Sequence, residues 1–297
     1  MDVAGFQTLR PYLFSVAYRM LGRATEAEDV VQDTWVRYQT AAPAAVDSLK
    51  AYLTTIVTRL CLDRLKSAHA TREQYVGPWL PEPVLTDAPA NPEQLMARYE
   101  SITMGFLVLL ETLSPPERAV FLLREVFDYD YDTIAGMLDT TAANCRQLLS
   151  RAKARIAEGR PRAAADPHAG PEAHKRLVEA FLGSLQRGDA GELATMLADD
   201  VEWWADGGGK VAAAGRPLFG RESVLKLLLG IRRGAAKLGA EMSTTVASIN
   251  GEPTIVVRVG DQIDSVYVCS VAGSLITAVH AVRNPDKLQF LKGQLQD

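Results

Sequence analysis

Apolar residues recur every three or four positions through the first two thirds of the chain and give way to alternation in the last third. Phe6, Leu9, Leu13, Val16 and Met20 make the first helical stripe, with Pro11 a candidate for its start and Gly22 suited to closing it. Thr25 and Glu28 have capping-box spacing, so hydroxyl and carboxylate can satisfy each other's backbone amides and a second helix is expected from about Ala27. That helix turns Ala27, Val30, Val31, Thr34 and Tyr38 inward and leaves Glu28, Asp29, Gln32 and Asp33 largely outside. A third helix, after Asp47 or Ser48, buries Leu49, Leu53, Ile56 and Leu60 and offers Lys50, Arg59, Arg64 and Lys66 on its exposed side.

In the middle of the chain, Asn91-Pro92 can cap a helix carrying Leu95, Tyr99, Ile102, Phe106 and Leu109 on one stripe. Ser114-Pro115-Pro116-Glu117 is a second capping box, with proline where a helix needs no amide donor. Asp130 can cap a short helix from Tyr131 to Leu138, and after Asp139-Thr140 the Thr141 hydroxyl can cap another, from Ala142 to Ala157. Two short helices across a tight turn spell helix-turn-helix. In the second of them Cys145, Leu148, Leu149, Ala152 and Ile156 face inward, leaving Asn144, Arg146, Gln147, Ser150, Arg151 and Arg155 outside, an inventory suited to a DNA major groove.

The last third opens with helical stretches from Glu172 to Gln186 and from Glu192 to Leu197. Strands then follow over Val201–Ala205, Met242–Ile249, Thr254–Val259, Ser265–Val271 and Ser274–Val282, with a helix at about Arg221–Ile231. This reads as α+β, with helices on one face of a curved antiparallel sheet and a conical cavity between them. Prolines set the boundaries: Pro78, Pro81, Pro83, Pro89 and Pro92 crowd into one linker, and GRPRAAADPHAGP, from Gly159 to Pro171, makes another. The resulting division is 1–76, a linker at 77–92, 93–160, a linker at 161–171, and 172–297.

Composition narrows the class. At 297 residues, 47% hydrophobic and 23% charged, the chain has room for two or three globular cores. No run of about 18 apolar residues and no basic-then-apolar leader is present, so a cytoplasmic protein without membrane contact is expected. Cys61, Cys145 and Cys269 lie too far apart for a ligand pattern and are expected to be small buried side chains; no metal or cofactor is implied. Thirty-two basic against 36 acidic residues give a net charge of −4, which offers no overall attraction to nucleic acid. The charges are sorted, however: Arg146, Arg151, Lys153, Arg155, Arg160 and Arg162 meet only Glu158, so an anion can bind there. Glu26, Glu28, Asp29 and Asp33 form an acidic stretch instead.

Taken in order, AEDVVQDTW, TTIVTRLCLDRLKS, a proline linker and YDTIAGMLDTTAANCRQLLSRAKARI resemble the extracytoplasmic-function (ECF) sigma factors of bacterial RNA polymerase. The motifs WLPEP (Trp79, Leu80, Pro81, Glu82, Pro83), DGGGK (Asp206, Gly207, Gly208, Gly209, Lys210) and NPDKL (Asn284, Pro285, Asp286, Lys287, Leu288) resemble the subgroup with a fused SnoaL-like C-terminal domain. Asp139 stands where that family often has a turn glycine. The resemblance implies two all-α sigma domains, a region 2 helical bundle and a region 4 helix-turn-helix, followed by an α+β cystatin-like or NTF2-like cone.

It further implies that Glu28, Asp29, Gln32, Asp33 and Trp35 meet the β′ clamp helices of core RNA polymerase, with the β flap a second contact. Lys50, Arg59, Arg64 and Lys66 would then neutralise phosphates near the downstream (−10) promoter element, while Tyr52, Thr54, Thr55 and Thr58 touch exposed bases. Arg146, Gln147 and Arg151, beside Thr141, Asn144 and Ser150, would read the upstream (−35) element, and Lys153 and Arg155 would hold phosphates. The three small motifs would form an interdomain regulatory surface, with Trp79 and Leu80 as apolar anchors in a stiff segment. A separate anti-sigma partner is not evident, and a ligand in the C-terminal cavity stays open. The competing reading is a DNA-binding regulator with a fused small-molecule-binding or isomerase-like domain, in which Glu202, Asp206, Tyr267 and His280 populate the cone. Plainer readings also compete: a solvated acidic face, a packed helix, a glycine turn, a proline-capped helix.

Overall fold

The computed structural model describes residues 2–41, 46–72, 75–86, 102–159, 170–238 and 242–295. Among these, the residues up to 72, with 102 and 106–159, cluster as one compact unit, and 75–86, 103–105 and 170–295 as another.

The helical unit begins with α1 (Val3–Leu21), α2 (Ala24–Ala41) and α3 (Leu49–Arg72). Asp2 caps α1 by accepting from Gly5 N at 2.7 Å, and the helix runs straight through Pro11, so proline is not its start. Burial of Phe6 on one side and Leu13 to Leu21 on the other outweighs the missing amide donor. Gly22 closes α1 in the left-handed region (φ 66°), its N–H reaching Tyr18 O at 2.8 Å. The next helix starts at Ala24, ahead of the expected Ala27, and the Glu28 carboxylate is taken by Arg10.

Next come α4 (Met104–Leu110), α5 (Pro115–Phe121), which continues into a π-helical turn over Leu122–Val126, α6 (Tyr131–Leu138) and α7 (Ala142–Gly159). The expected cap at Asn91-Pro92 lies outside the described residues, as do Arg160 and Arg162. At α5 both Ser114 N and its hydroxyl donate to Glu117 Oε2, at 3.0 and 2.7 Å. Asp130 caps α6 through Thr133 N at 2.8 Å, and Thr141 caps α7 through Asn144 N at 3.1 Å. Asp139 ends α6 with φ 52° and ψ 54°, the left-handed backbone that the turn demands and Asp tolerates. Val120, Leu123, Ile134, Met137, Cys145 and Leu149 share one core beneath this helix-turn-helix.

The second unit contains α8 (Pro171–Arg187), α9 (Ala190–Met196), β1 (Leu197–Asp206), β2 (Leu218–Phe219), α10 (Arg221–Leu238), β3 (Met242–Ile249), β4 (Glu252–Val259), β5 (Gln262–Ala272), β6 (Leu275–Val282) and α11 (Gln289–Gln294). The sheet runs β2-β1-β6-β5-β4-β3 and is mixed, because β1 lies parallel to β6 while the other neighbours are antiparallel. Register puts Trp203, Ala205, Tyr267, Cys269, Val279 and Ala281 on one face, where they pack with Val178, Phe181, Leu193, Val224 and Leu228 of the helices. One face of the sheet and the helices therefore share a single apolar core. Asn250 and Gly251 turn β3 into β4 with φ of 55° and 72°, the two positive angles a tight hairpin requires.

Candidate nucleic-acid interface and linker site

Two sites emerge, one in each unit. The first is the exposed face of α7. Its hydroxyl cap and apolar stripe fix the helix, and Asn144, Arg146, Gln147, Ser150, Arg151, Lys153 and Arg155 all stand exposed while Cys145, Leu149, Ala152 and Ile156 are buried. Not all of these cations are free. Arg155 pairs with the buried Glu117 at 2.8 Å, and Lys153 with Glu125 at 2.9 Å. Burial alone would raise the Glu117 pKa, but the Ser114 hydrogen bonds and Arg155 outweigh it and hold the carboxyl below its usual range. Arg146 instead lies over the Tyr131 ring, 4.9 Å from its centroid.

The basic side of α3 is engaged more heavily. Arg59 donates to Met137 O at 2.8 Å and Gly136 O at 3.1 Å, capping the C-terminal end of α6. Arg64 pairs with Asp33 at 2.9 Å and Asp29 at 3.6 Å, tying α3 to the acidic side of α2. The Lys50 ammonium sits 4.3 Å from the Tyr12 ring centroid, whereas Lys66 is solvated. Thr54 and Thr58 are fully buried at 0% exposure and are not accessible to a base in this arrangement, contrary to expectation; Tyr52 and Thr55 keep partial exposure. The Thr54 hydroxyl meets Tyr129 OH at 3.1 Å, as does Tyr12 OH. These threonines are buried because α3 is covered both by the helices before it and by the helix-turn-helix. Beside the Arg59 contact a groove of 590 Å³ opens, lined by Leu62, Leu65, Pro115, Leu138 and Leu148, with Lys66 and Asn144 on its wall.

On α2, Asp29, Gln32 and Asp33 are exposed and Glu28 half-buried. Trp35 packs at a tilt against Phe6 and Tyr38, with centroids 4.7 and 6.1 Å away, so the indole sits in an aromatic cluster.

The second site joins all three small motifs. The fully buried Asp206 accepts from Leu80 N (2.8 Å) and Lys287 Nζ (2.6 Å) on one oxygen, and from Tyr75 OH (2.5 Å) and Gly208 N (3.0 Å) on the other. Lys287 donates also to Leu80 O at 2.5 Å, and its ammonium lies 3.9 Å from the Trp79 ring centroid and 4.9 Å from that of Tyr75. Asn284 donates to Tyr75 OH at 2.8 Å. A Cβ on Gly208 (φ 59°) would come within 2.2 Å of that Asn284 amide, so glycine is required there. Lys210 and Asp286 pair at 2.6 Å on the surface. Farther along, Thr86 N reaches Ser248 O at 2.8 Å, Asn250 N reaches Val84 O at 2.9 Å, and Leu85 N reaches Gln294 Oε1 at 2.8 Å. Residues 75–86 are thus built into the C-terminal unit, and Leu80 through Leu85 are buried there.

Residues 6–71 match the Sigma-70 region 2 family and residues 104–156 the Sigma-70, region 4 family. Among curated proteins, the ECF RNA polymerase sigma factor SigJ of Mycobacterium tuberculosis is 36% identical over 85% of this chain and 80% of its own length. The chain belongs to the ECF RNA polymerase sigma factor family. The probable ECF RNA polymerase sigma factor SigI of Mycobacterium tuberculosis is 29% identical over 98% of this chain and 96% of that one. The crystal structure of the Mycobacterium tuberculosis SigJ protein superposes with a TM-score of 0.77 at 30% identity, covering 97% of this chain and 98% of that chain, so the likeness includes the C-terminal α+β domain.

In this sigma factor the residues of the competing enzyme reading do not converge. Register puts Glu202, Asp206 and His280 on one face of the sheet and Tyr267 on the other. Glu202 is held by Trp204 Nε1 at 2.9 Å, and Asp206 is consumed by Lys287 and the linker. His280 is buried with no partner for Nδ1 among the described residues, and desolvation lowers its pKa to about 4, so it stays neutral. Sequence reasoning missed Tyr75, which closes the Asp206–Asn284 network, and Glu252, whose buried carboxyl accepts from Met104 N at 2.9 Å and is pushed up to about 7 by desolvation. No helix among the described residues is long and apolar enough to cross a membrane.

Proposed function

We propose that this sigma factor binds core polymerase through Asp29, Gln32, Asp33 and the neighbouring Glu28 and Trp35, whose acidic character suits a basic partner such as the β′ clamp helices. Lys50, Tyr52, Thr55, Arg59, Arg64 and Lys66 meet the −10 element, and Thr141, Asn144, Arg146, Gln147, Ser150 and Arg151 meet the −35 element with Lys153 and Arg155 on phosphates. The observation that carries the promoter reading is α7 itself, a capped helix with one buried stripe and an opposite face dominated by polar and basic side chains.

Two promoter elements about 25 base pairs apart lie about 85 Å apart along B-DNA at about 3.4 Å per pair. Arg59, by contrast, touches Met137 O at 2.8 Å. Reading both elements at once therefore requires the α3–α6 contact to open. The C-terminal domain acts as a regulator in cis rather than as an enzyme, with residues 75–86 as its fixed arm; Tyr267 on the opposite face from Glu202, Asp206 and His280, and Asp206 and Glu202 already held by Lys287 and Trp204, support that choice. In vitro transcription with purified core polymerase tests the whole reading. Promoter-specific initiation that depends on the chain is expected, and a chain that binds DNA but never directs core polymerase would leave the DNA-binding-regulator reading instead.

A further inference from the structure

Arg146 differs from Arg59, Lys153 and Arg155 around the helix-turn-helix, and from Arg151 in resting on an aromatic ring. Arg59 is spent on backbone carbonyls, Arg155 on Glu117 and Lys153 on Glu125. Arg146 makes no hydrogen bond or ion pair among the described residues, and its guanidinium rests against Tyr131 with its donors unused. Tyr131 is the first residue of α6, fixed there by the Asp130 cap, and its half-buried ring packs on the core shared with Cys145 and Leu149. A second guanidinium, Arg124, lies 5.3 Å from the same ring centroid, tied down by Tyr129 O at 2.9 Å and Asp128 at 3.7 Å. The ring is thus packed between the core and a second guanidinium, and it holds a long, otherwise free side chain at the start of the recognition helix.

We infer that Tyr131 is a positioning residue for promoter specificity: its ring orients Arg146 to present two donors to the O6 and N7 of a guanine in the −35 element. The deduction rests on the reading of α7 given above and adds the device that makes one base preferred. A flexible arginine loses rotamer freedom when it binds, whereas one already stacked has lost most of it beforehand. Arginine also matches guanine through paired donors that lysine cannot supply. Among the described residues Arg146 has no other hydrogen bond, ion pair or ring contact, so the stack sets its direction.

The test is selection from a duplex library randomised across the −35 segment, bound by the full chain with core polymerase, followed by affinities for the selected duplex and its single-base variants. The wild type and Tyr131→Phe should prefer guanine at one position equally, because the phenyl face is kept. Tyr131→Leu, which keeps apolar packing without a π face, should lose about two- to five-fold of that preference, the range for a solvent-exposed stack. Arg146→Ala should abolish the preference, and the Tyr131→Leu/Arg146→Ala double variant should be no worse than Arg146→Ala alone. Thermal unfolding of each variant separates lost positioning from lost fold, and Tyr131→Phe supplies the rescue. Undiminished guanine preference in folded Tyr131→Leu would overturn the positioning role while leaving the α7 reading intact. Undiminished preference in Arg146→Ala would overturn both.

Discussion

Lys287 in the C-terminal unit and Arg59 in the helical unit do the same chemistry, each donating to backbone carbonyls far away in sequence, yet their surroundings differ. Lys287 is 3% exposed and adds a carboxylate at 2.6 Å and two aromatic rings. Arg59 is exposed, has carbonyl partners only among the described residues, and stands next to an open groove. A buried cation without its partner is left desolvated, so the first contact is permanent; an exposed guanidinium can trade carbonyl for water or phosphate at little cost, so the second is displaceable. Residues 75–86 and the C-terminal domain are therefore expected to move as one body, and the closure of α3 on α6 to open and close.

Removing the buried partner should give the largest effect. Lys287→Met leaves Asp206 buried and unpaired and should destabilise the C-terminal unit by about 3–5 kcal/mol, read as a lower denaturant midpoint; a loss under about 1 kcal/mol would make the contact no stronger than a surface pair. Next is Glu252, whose carboxyl has a folded pKa of about 7. Because the unfolded chain ionises it near 4.5, the folded state binds more protons between those values. Stability therefore falls as pH rises through that window and levels off above it, by about 3 kcal/mol in all. Denaturation of Glu252→Gln from pH 4.5 to 8 should lack this decline; parallel curves for both proteins would place the raised pKa in error.

Smaller effects are expected where solvent reaches the contact. Arg59→Ala should cost the helical unit about 1 kcal/mol, measurable by urea unfolding, and a loss as large as that of Lys287→Met would erase the contrast between the two. Lys210→Ala, which breaks a half-exposed pair with Asp286, should change stability by less than about 1 kcal/mol and leave the midpoint nearly unmoved. If Lys210→Ala unfolded the domain, the pair would be part of the bolt rather than its rim.

What the sequence disclosed was short-range. The caps at Ser114, Asp130 and Thr141 and the stripe of α7 depend on residues three or four apart, and they appear in the structure as expected. Strand positions in β3 to β6 were legible for the same reason, since alternation is local. The parallel pairing of β1 with β6 was not, because it joins segments some 75 residues apart. Likewise proline content marked residues 77–92 as a stiff spacer, but no local pattern says that Leu80 N seeks Asp206, 126 residues away. Thr54 and Thr58 were misjudged because α3 buries two sides rather than one, and Pro11 because packing on both flanks overrides a missing donor. Of the cations proposed to meet the promoter, Arg59, Arg64 and Arg155 have partners, Met137 O, Asp33 and Glu117, that are visible only in three dimensions.

The contrast between a permanent arm and a reversible closure is tested most directly by distances in the full chain. One label pair, at Ser67→Cys on α3 and Ala143→Cys on α7, spans the closure; a second, at Val76→Cys and Gln289→Cys, spans the arm and the C-terminal domain; all four sites are exposed, whereas the native Cys61, Cys145 and Cys269 are buried and stay unlabelled. On adding core polymerase and promoter DNA, the first distance should lengthen by tens of ångströms, consistent with elements about 85 Å apart, while the second stays fixed. An unchanged first distance in a transcribing complex, or a second distance that grows with it, would contradict the account.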